Sequence, residues 1–351
     1  MHSRRNFLAA GAAACGGAVL GPEGATPRAQ ADAPRQERPR IVTIGLVQLR
    51  CEPSTERNLD RAIELIGKAA KAGAQLVVLP ELFRTPYFCR AGCPLDQPPA
   101  DDLLKAIADA KRDYAISMDG PVTERLSKAA AENEVVLVGG SSFEIEKTPA
   151  GEHYFNTSPV FDADGKLLGT YRKTHIPHDE GFWEQHYFEP GDRGFPVFDT
   201  AVGIVAVQIC YDQWFPEGAR LAALAGAEFL VYPTAIGDVD EIKSPGEGNW
   251  REMWTTAQAG HAVCNHLFVA AANRVGREGR TAFWGGSFVA DPCGRVISRG
   301  GAAEEVLLAS CDLSLIETMR EWRFLEERRP ERYSRLDQPA ARVPDRSREL
   351  L

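Results

Sequence analysis

The sequence predicts an α/β protein of two similar halves, in which two mixed sheets pack face to face with helices outside. Three features point there. Short apolar strands alternate with amphipathic helical stretches along most of the 351 residues. Ala72-Gly73-Ala74-Gln75-Leu76-Val77-Val78-Leu79-Pro80 parallels Ala225-Gly226-Ala227-Glu228-Phe229-Leu230-Val231-Tyr232-Pro233. Each reads as a helix end, a glycine turn, a buried strand and a proline that stops it. Two hairpins also turn alike, at Asp162-Ala163-Asp164-Gly165 and at Asp291-Pro292-Cys293-Gly294.

The elements follow in order. Residues 41–49 read as a strand. Residues 56–72 read as a helix, with Leu59, Ala62, Ile63, Leu65 and Ile66 on a helical period and Ser54 or Thr55 as its cap. Residues 75–79 form a short apolar strand, 121–132 a helix and 135–138 a buried strand. The run 167–172 leads to a lysine. In the second half, strands are expected at 203–209, 229–232 and 267–271, with helices near 216–225 and 250–264 between them.

The chain begins differently. Ser3-Arg4-Arg5-Asn6-Phe7-Leu8 precedes a short Ala- and Gly-rich stretch, and Ala29-Gln30-Ala31 supplies a small-x-small cleavage site. This is the layout of a twin-arginine export signal over 1–31, so a periplasmic or extracellular protein is expected. Residues 32–40 read as a polar linker and 336–351 as a disordered polar tail. Losing Arg4, Arg5, Arg28 and Glu23 with the signal takes the formal charge from -9 to -11. That balance argues against a nucleic-acid partner. Without 18 consecutive apolar residues, the mature chain should not span a membrane. Seven cysteines remain after the signal, an odd number, and a chain folded before export need not use disulfides. Whether Cys89 and Cys93 pair stays open. His175-Ile176-Pro177-His178 has no accompanying zinc-binding pattern, so no metal or other cofactor is expected.

Three reactive side chains close apolar runs: Glu81 after 76–80, Lys173 after 167–172 and Cys210 after 203–209. In a sheet protein, ligands gather beyond such strand ends. Singly, each residue has a structural explanation: a core thiol, a helix-start charge, a surface lysine. Together they make a coherent chemistry. Glu81 could activate the Cys210 thiol, while Lys173 and the backbone N–H of Tyr211 could hold an oxyanion.

Pro80-Glu81-Leu82-Phe83, Tyr171-Arg172-Lys173-Thr174-His175-Ile176-Pro177 and Ile209-Cys210-Tyr211-Asp212-Gln213-Trp214-Phe215-Pro216-Glu217 resemble the three signatures of the nitrilase, or carbon–nitrogen hydrolase, superfamily. The resemblance covers residues 41 to about 335. It implies a four-layer αββα sandwich, a single catalytic domain over 41–335, and a Glu81–Lys173–Cys210 triad. It also implies an additional glutamate, Glu184. Thr85-Pro86-Tyr87-Phe88-Cys89 and Tyr232-Pro233-Thr234-Ala235-Ile236-Gly237 resemble the N-carbamoylputrescine amidase branch, as do Asn273-Arg274-Val275-Gly276 and Arg328-Arg329-Pro330-Glu331-Arg332-Tyr333. His178, Gln185 and the loop 238–248 depart from that branch.

The expectation is therefore a thiol amidohydrolase acting on a small carbamoyl amine such as N-carbamoylputrescine, in a homo-oligomer. A β-ureidopropionase-like or aliphatic amidase activity is the alternative, and a non-catalytic binding protein on the same fold a third. An ammonium on the substrate would want a carboxylate. Asp238, Asp240 and Glu241 are candidates because their loop follows the strand 229–232, and Glu180 and Glu189 are others.

Overall fold

The computed structural model describes residue 38 and residues 40–242 and 249–338. The proposed signal, nearly all of the linker, and the tail beyond 338 lie outside the described residues. The first half runs β1 (Ile41–Gln48), α1 (Thr55–Lys71), β2 (Leu76–Val78), α2 (Asp101–Tyr114), α3 (Pro121–Asn133), β3 (Val136–Val138), β4 (Ser142–Thr148), β5 (Gly151–Phe161) and β6 (Leu167–Arg172). The second runs β7 (Val197–Thr200), β8 (Gly203–Val207), α4 (Pro216–Leu224), β9 (Phe229–Thr234), β10 (Gly237–Val239), α5 (Trp250–Asn265), β11 (Phe268–Asn273), β12 (Val275–Glu278), β13 (Thr281–Trp284), β14 (Phe288–Ala290) and β15 (Val296–Arg299). β16 (Glu305–Asp312) and α6 (Ser314–Arg320) follow.

The first sheet has the order β16-β1-β2-β3-β5-β4, with β6 also on β5, and the second β15-β14-β11-β9-β8-β7. In each, three parallel strands form the middle (β1, β2, β3 and β8, β9, β11) and antiparallel strands flank them. Alternation along these strands separates two faces. Val42, Ile44, Leu46, Leu76, Val78, Val136 and Val138 pack against Val205, Val207, Phe229, Val231, Phe268 and Ala270 in one buried cluster between the sheets. The outer face of the first sheet, including Val47, Val77 and Leu137, takes Leu59, Leu65 and Ile66 of α1 and Leu126 of α3. That of the second, including Leu230 and Val269, takes Ala219 and Ala222 of α4 and Trp254 and Ala262 of α5. The layers are therefore αββα.

The repeat holds at atomic detail. Gly73 and Gly226 have φ of 95° and 94°, a left-handed conformation that glycine adopts without strain. Beside them Ala74 donates to the Ala69 carbonyl and Ala227 to that of Ala222, both at 3.0 Å. Gly165 and Gly294 close the two hairpin turns on Asp162 and Asp291, both at 2.8 Å.

Some details differ from the sequence reading. Ser54 is the cap of α1, accepting from the Arg57 N–H at 3.3 Å. β8 ends at Val207, two residues before the expected limit. α2 is additional; it buries only Ala110 and lacks a side-chain cap, so its local signal is weak. Asp238 lies in β10, part of a small third sheet with β13 and β12, rather than in an open loop. Residues 336–338 of the expected disordered tail are described, within or next to a short 3-10 turn over Ser334–Asp337. Among the described residues no helix is long and apolar enough to cross a membrane.

Candidate active site

Glu81 sits three residues beyond β2. Pro80 has no N–H to extend the ladder. The Glu81 N–H instead crosses to the Thr234 carbonyl at the end of β9, at 3.4 Å. The next residue, Leu82, turns through φ 47° and donates to Ser141 Oγ at 3.0 Å. Buried Arg274 holds the far side, donating to the carbonyls of Leu82 at 3.1 Å and Thr85 at 3.0 Å. Gly140 lies so close that a Cβ there would stand 2.4 Å from the Pro80 carbonyl oxygen.

Lys173 follows β6, and its N–H binds the Asn156 carbonyl of β5 at 2.9 Å. Its ammonium lies between two carboxylates, 2.7 Å from Glu81 Oε1 and 2.7 Å from Glu184 Oε2. All three side chains are fully buried. Asn156 Nδ2 donates to Glu81 Oε1 at 2.8 Å and the Tyr87 hydroxyl to Glu184 Oε1 at 2.7 Å. Glu81 Oε2 has no protein partner.

One cation against two carboxylates out of water sets the electrostatics. Burial alone would lower the Lys173 pKa, but Glu184 and Glu81 outweigh it and hold the ammonium charged. Burial pushes Glu184 up to about 7, against the pull of Lys173 and with the help of Glu81. Burial and then the Glu81 charge push the Cys210 thiol well above its ordinary range, and Lys173 offsets only part of that. The sulfur therefore rests as a protonated thiol.

Cys210 begins a 3-10 turn, Cys210–Trp214, with φ 44°, a region costly for a side-chain-bearing residue. Its Sγ lies 3.8 Å from the Ala235 carbonyl oxygen. Cys210 and Glu184 line a cavity of about 410 Å³. Phe182, Tyr211, Trp214, Trp250 and Trp284 give it aromatic walls, and Gln213, Asp179 and Glu180 add polar groups. Among the described residues no lysine or arginine lines it.

The carbon–nitrogen hydrolase family matches residues 43–321. The chain belongs to that family. An N-carbamoylputrescine amidase of Arabidopsis thaliana is 37% identical over 84% of this chain and 95% of its own length. A citrullinase of Francisella tularensis is 34% identical over 84% and 98%. The crystal structure of a carbon–nitrogen hydrolase from Helicobacter pylori G27 has a TM-score of 0.73 at 34% identity, covering 86% of this chain and 99% of that one. The chain is thus a hydrolase acting on amide bonds, and the expected superfamily and sandwich fold hold.

In this carbon–nitrogen hydrolase, the fold brings Glu81, Lys173, Glu184, Cys210 and Tyr211 to one end of the sandwich. The carboxylates expected to meet a substrate ammonium fare differently. Asp238, Asp240 and Glu241 are absent from the cavity lining. Asp240 is paired with Arg277 at 2.7 Å, Glu241 with Arg280 at 3.2 Å and Glu189 with His153 at 3.0 Å. Glu180 does line the cavity but binds Arg280 at 2.9 Å. The carboxylate left without an ion pair among the described residues of the lining is Asp179, which sequence reasoning passed over. Its neighbour Glu180 had drawn attention, but nothing local shows which of two adjacent acids an arginine a hundred residues away will neutralise. Tyr87, Asn156, Trp250 and Trp284 were also missed as site residues, because they reach the site from outside the three signature segments, whereas Trp214 lies in the cysteine turn itself. Cys89 and Cys93 are both free thiols.

Proposed function

We propose that this hydrolase cleaves an N-carbamoyl amine with a free ammonium at its far end, of the N-carbamoylputrescine type. The supporting observation is the charge left at the cavity wall: Asp179 lines it without an ion pair among the described residues, and no described lysine or arginine lines it. A substrate carboxylate would lack a partner there, whereas an ammonium finds a carboxylate and aromatic faces. The names of the plant relatives agree with this class.

The chemistry follows from the buried cluster. Glu81, through its unpartnered Oε2, takes the Cys210 proton as sulfur attacks the carbamoyl carbon. The Lys173 ammonium and the Tyr211 N–H donate to the developing oxyanion. The C–N bond then breaks, Glu81 returns the proton to the departing amine, and a carbamoyl group remains on sulfur. Water, deprotonated by Glu81, attacks that carbonyl. The carbamate released falls apart into CO2 and NH3, and the thiol regains its proton. Glu184 keeps Lys173 aimed throughout.

The test is ammonia release by the purified protein from N-carbamoylputrescine, N-carbamoyl-β-alanine and simple amides. The expected kcat/KM for the first exceeds that for the second by about 100-fold, the scale of a well-placed charge contact. Asp179→Asn should raise KM for the cationic substrate and leave an uncharged carbamoyl amine unaffected. A preference for the carboxylate-bearing substrate would replace this reading with a β-ureidopropionase-like one.

A further inference from the structure

The buried Asp212 carboxylate joins the two segments that carry Lys173 and Cys210. It is fully buried, two residues after the cysteine. One oxygen accepts the Ile209 N–H at 2.9 Å and the Tyr171 hydroxyl at 2.7 Å. The other accepts the His175 N–H at 2.9 Å and His175 Nδ1 at 2.7 Å. The bound residues are thus the one before Cys210 and those two places before and two places after Lys173. No other described side chain bonds to all three. The His175 ring closes the arrangement, lying on Phe215 at the end of the cysteine turn, with centroids 3.6 Å apart and planes within 4°.

This matters because the two groups stand on different sheets. Lys173 follows β6 in the first and Cys210 follows β8 in the second. Apolar packing between sheets sets their separation only as well as side chains interlock, whereas a carboxylate with four directed donors fixes distance and angle. Cys210 also needs support, since φ 44° is a conformation that the surroundings must impose. The Asp212 bond to the Ile209 N–H holds the backbone immediately before that strained residue. A displacement of about 1 Å between a nucleophile and the group stabilising its transition state can cost about 100-fold in rate.

We infer that Asp212, working through His175, is a positioning device that fixes Cys210 relative to Lys173. This rests on the roles proposed above for those two residues. It adds that the distance between them is held by a hydrogen-bonded bridge across the sheets and not by packing alone. Asp212 is not itself among the residues that line the cavity, and its side chain bonds to none of the reacting groups, so its effect should fall on turnover more than on substrate affinity.

Asp212→Asn puts donors opposite donors in the core and can unfold the protein, so half-buried His175 carries the decisive comparison. Turnover of N-carbamoylputrescine, the rate of Cys210 alkylation by iodoacetamide and Tm are measured for His175→Ala and His175→Asn. The expected kcat of His175→Ala is lower by about 10- to 100-fold, with KM changed less than about threefold. Alkylation of Cys210 should slow with it while Tm stays within a few degrees. His175→Asn, whose side-chain N–H can meet Asp212 as Nδ1 does, should recover most of the loss. Wild-type kcat and alkylation in His175→Ala would overturn the inference, as would a loss that His175→Asn does not relieve. Turnover surviving in Cys210→Ala would instead remove the mechanism on which it rests.

Discussion

Six strands of the first sheet match the six of the second, and only β4 has no counterpart there, yet the reactive side chains are unevenly divided between the halves. Strand register makes the comparison definite. Ile44 pairs with Leu76 as Val205 pairs with Phe229, and Leu76 with Val136 as Phe229 with Phe268. Val160 pairs with Gly169 as Val289 pairs with Ser298. Counting along matched strands, Glu81 corresponds to Thr234, Lys173 to Ala302 and Cys210 to Leu49. The first half therefore supplies a carboxyl and an ammonium group at two strand ends, where the second has a buried threonine and an exposed alanine. The second half supplies the thiol where the first has a fully buried leucine. Matched ends even meet, since the Glu81 N–H bonds to the Thr234 carbonyl. The scaffold is duplicated, and the reactive constellation needs both copies, each contributing what the other lacks. It follows that the site forms only when the sheets are stacked.

The sharpest way to break this comparison is at its most unequal pair. Cys210→Ala should abolish turnover, at least about 10⁴-fold in kcat, the scale of deleting a covalent nucleophile. Leu49→Ala should cost about 2–5 kcal/mol of stability through the cavity it leaves. Steady-state rates and denaturant unfolding on both variants check the contrast. Turnover in Cys210→Ala would remove the proposed mechanism.

Lys173 and Ala302 come next. Lys173→Met should lose about 100-fold or more in kcat, as loss of an oxyanion donor does. It should also destabilise by about 3–5 kcal/mol, because Glu81 and Glu184 are left buried without their cation. Lys173→Arg should recover little, since a planar guanidinium does not fit an ammonium's place. Ala302→Met should change stability by less than about 0.5 kcal/mol and leave kcat alone.

The smallest effect sharpens the picture at Glu184. Its pKa is raised to about 7, mainly by burial. Charged Glu184 holds Lys173, so kcat/KM should fall as pH drops through about 7. Glu184→Gln should remove that limb while lowering the plateau. Stability runs the other way. A carboxyl whose folded pKa is raised favours the folded state at pH below the unfolded value. That contribution is lost as pH rises through the folded pKa. Tm profiles of wild type and Glu184→Gln should therefore diverge between about pH 4.5 and pH 7. Parallel profiles would show that Glu184 carries no such shift.

Much of the fold was legible because its signals are local. Short, nearly continuous apolar runs mark β1, β2 and β8, and a helical period marks α1. The glycine turns at Gly73 and Gly226 gave the duplication, since a positive φ leaves a mark in the sequence itself. Position at strand ends, joined to the family resemblance, singled out Glu81, Lys173 and Cys210. Tertiary structure decided what those residues experience. That Arg274 braces the Glu81 turn and that Asp212 spans both sheets depend on contacts between distant segments. No periodicity encodes them. The substrate end shows the same limit from the other side. Asp240 and Glu241 read as free acids along the chain, but Arg277 and Arg280 fold onto them, while Asp179 is left at the cavity wall. A sequence records which charges exist. Whether a charge is free depends on what the fold brings within a few ångströms of it, because ion pairing and desolvation act over those distances and not along the chain.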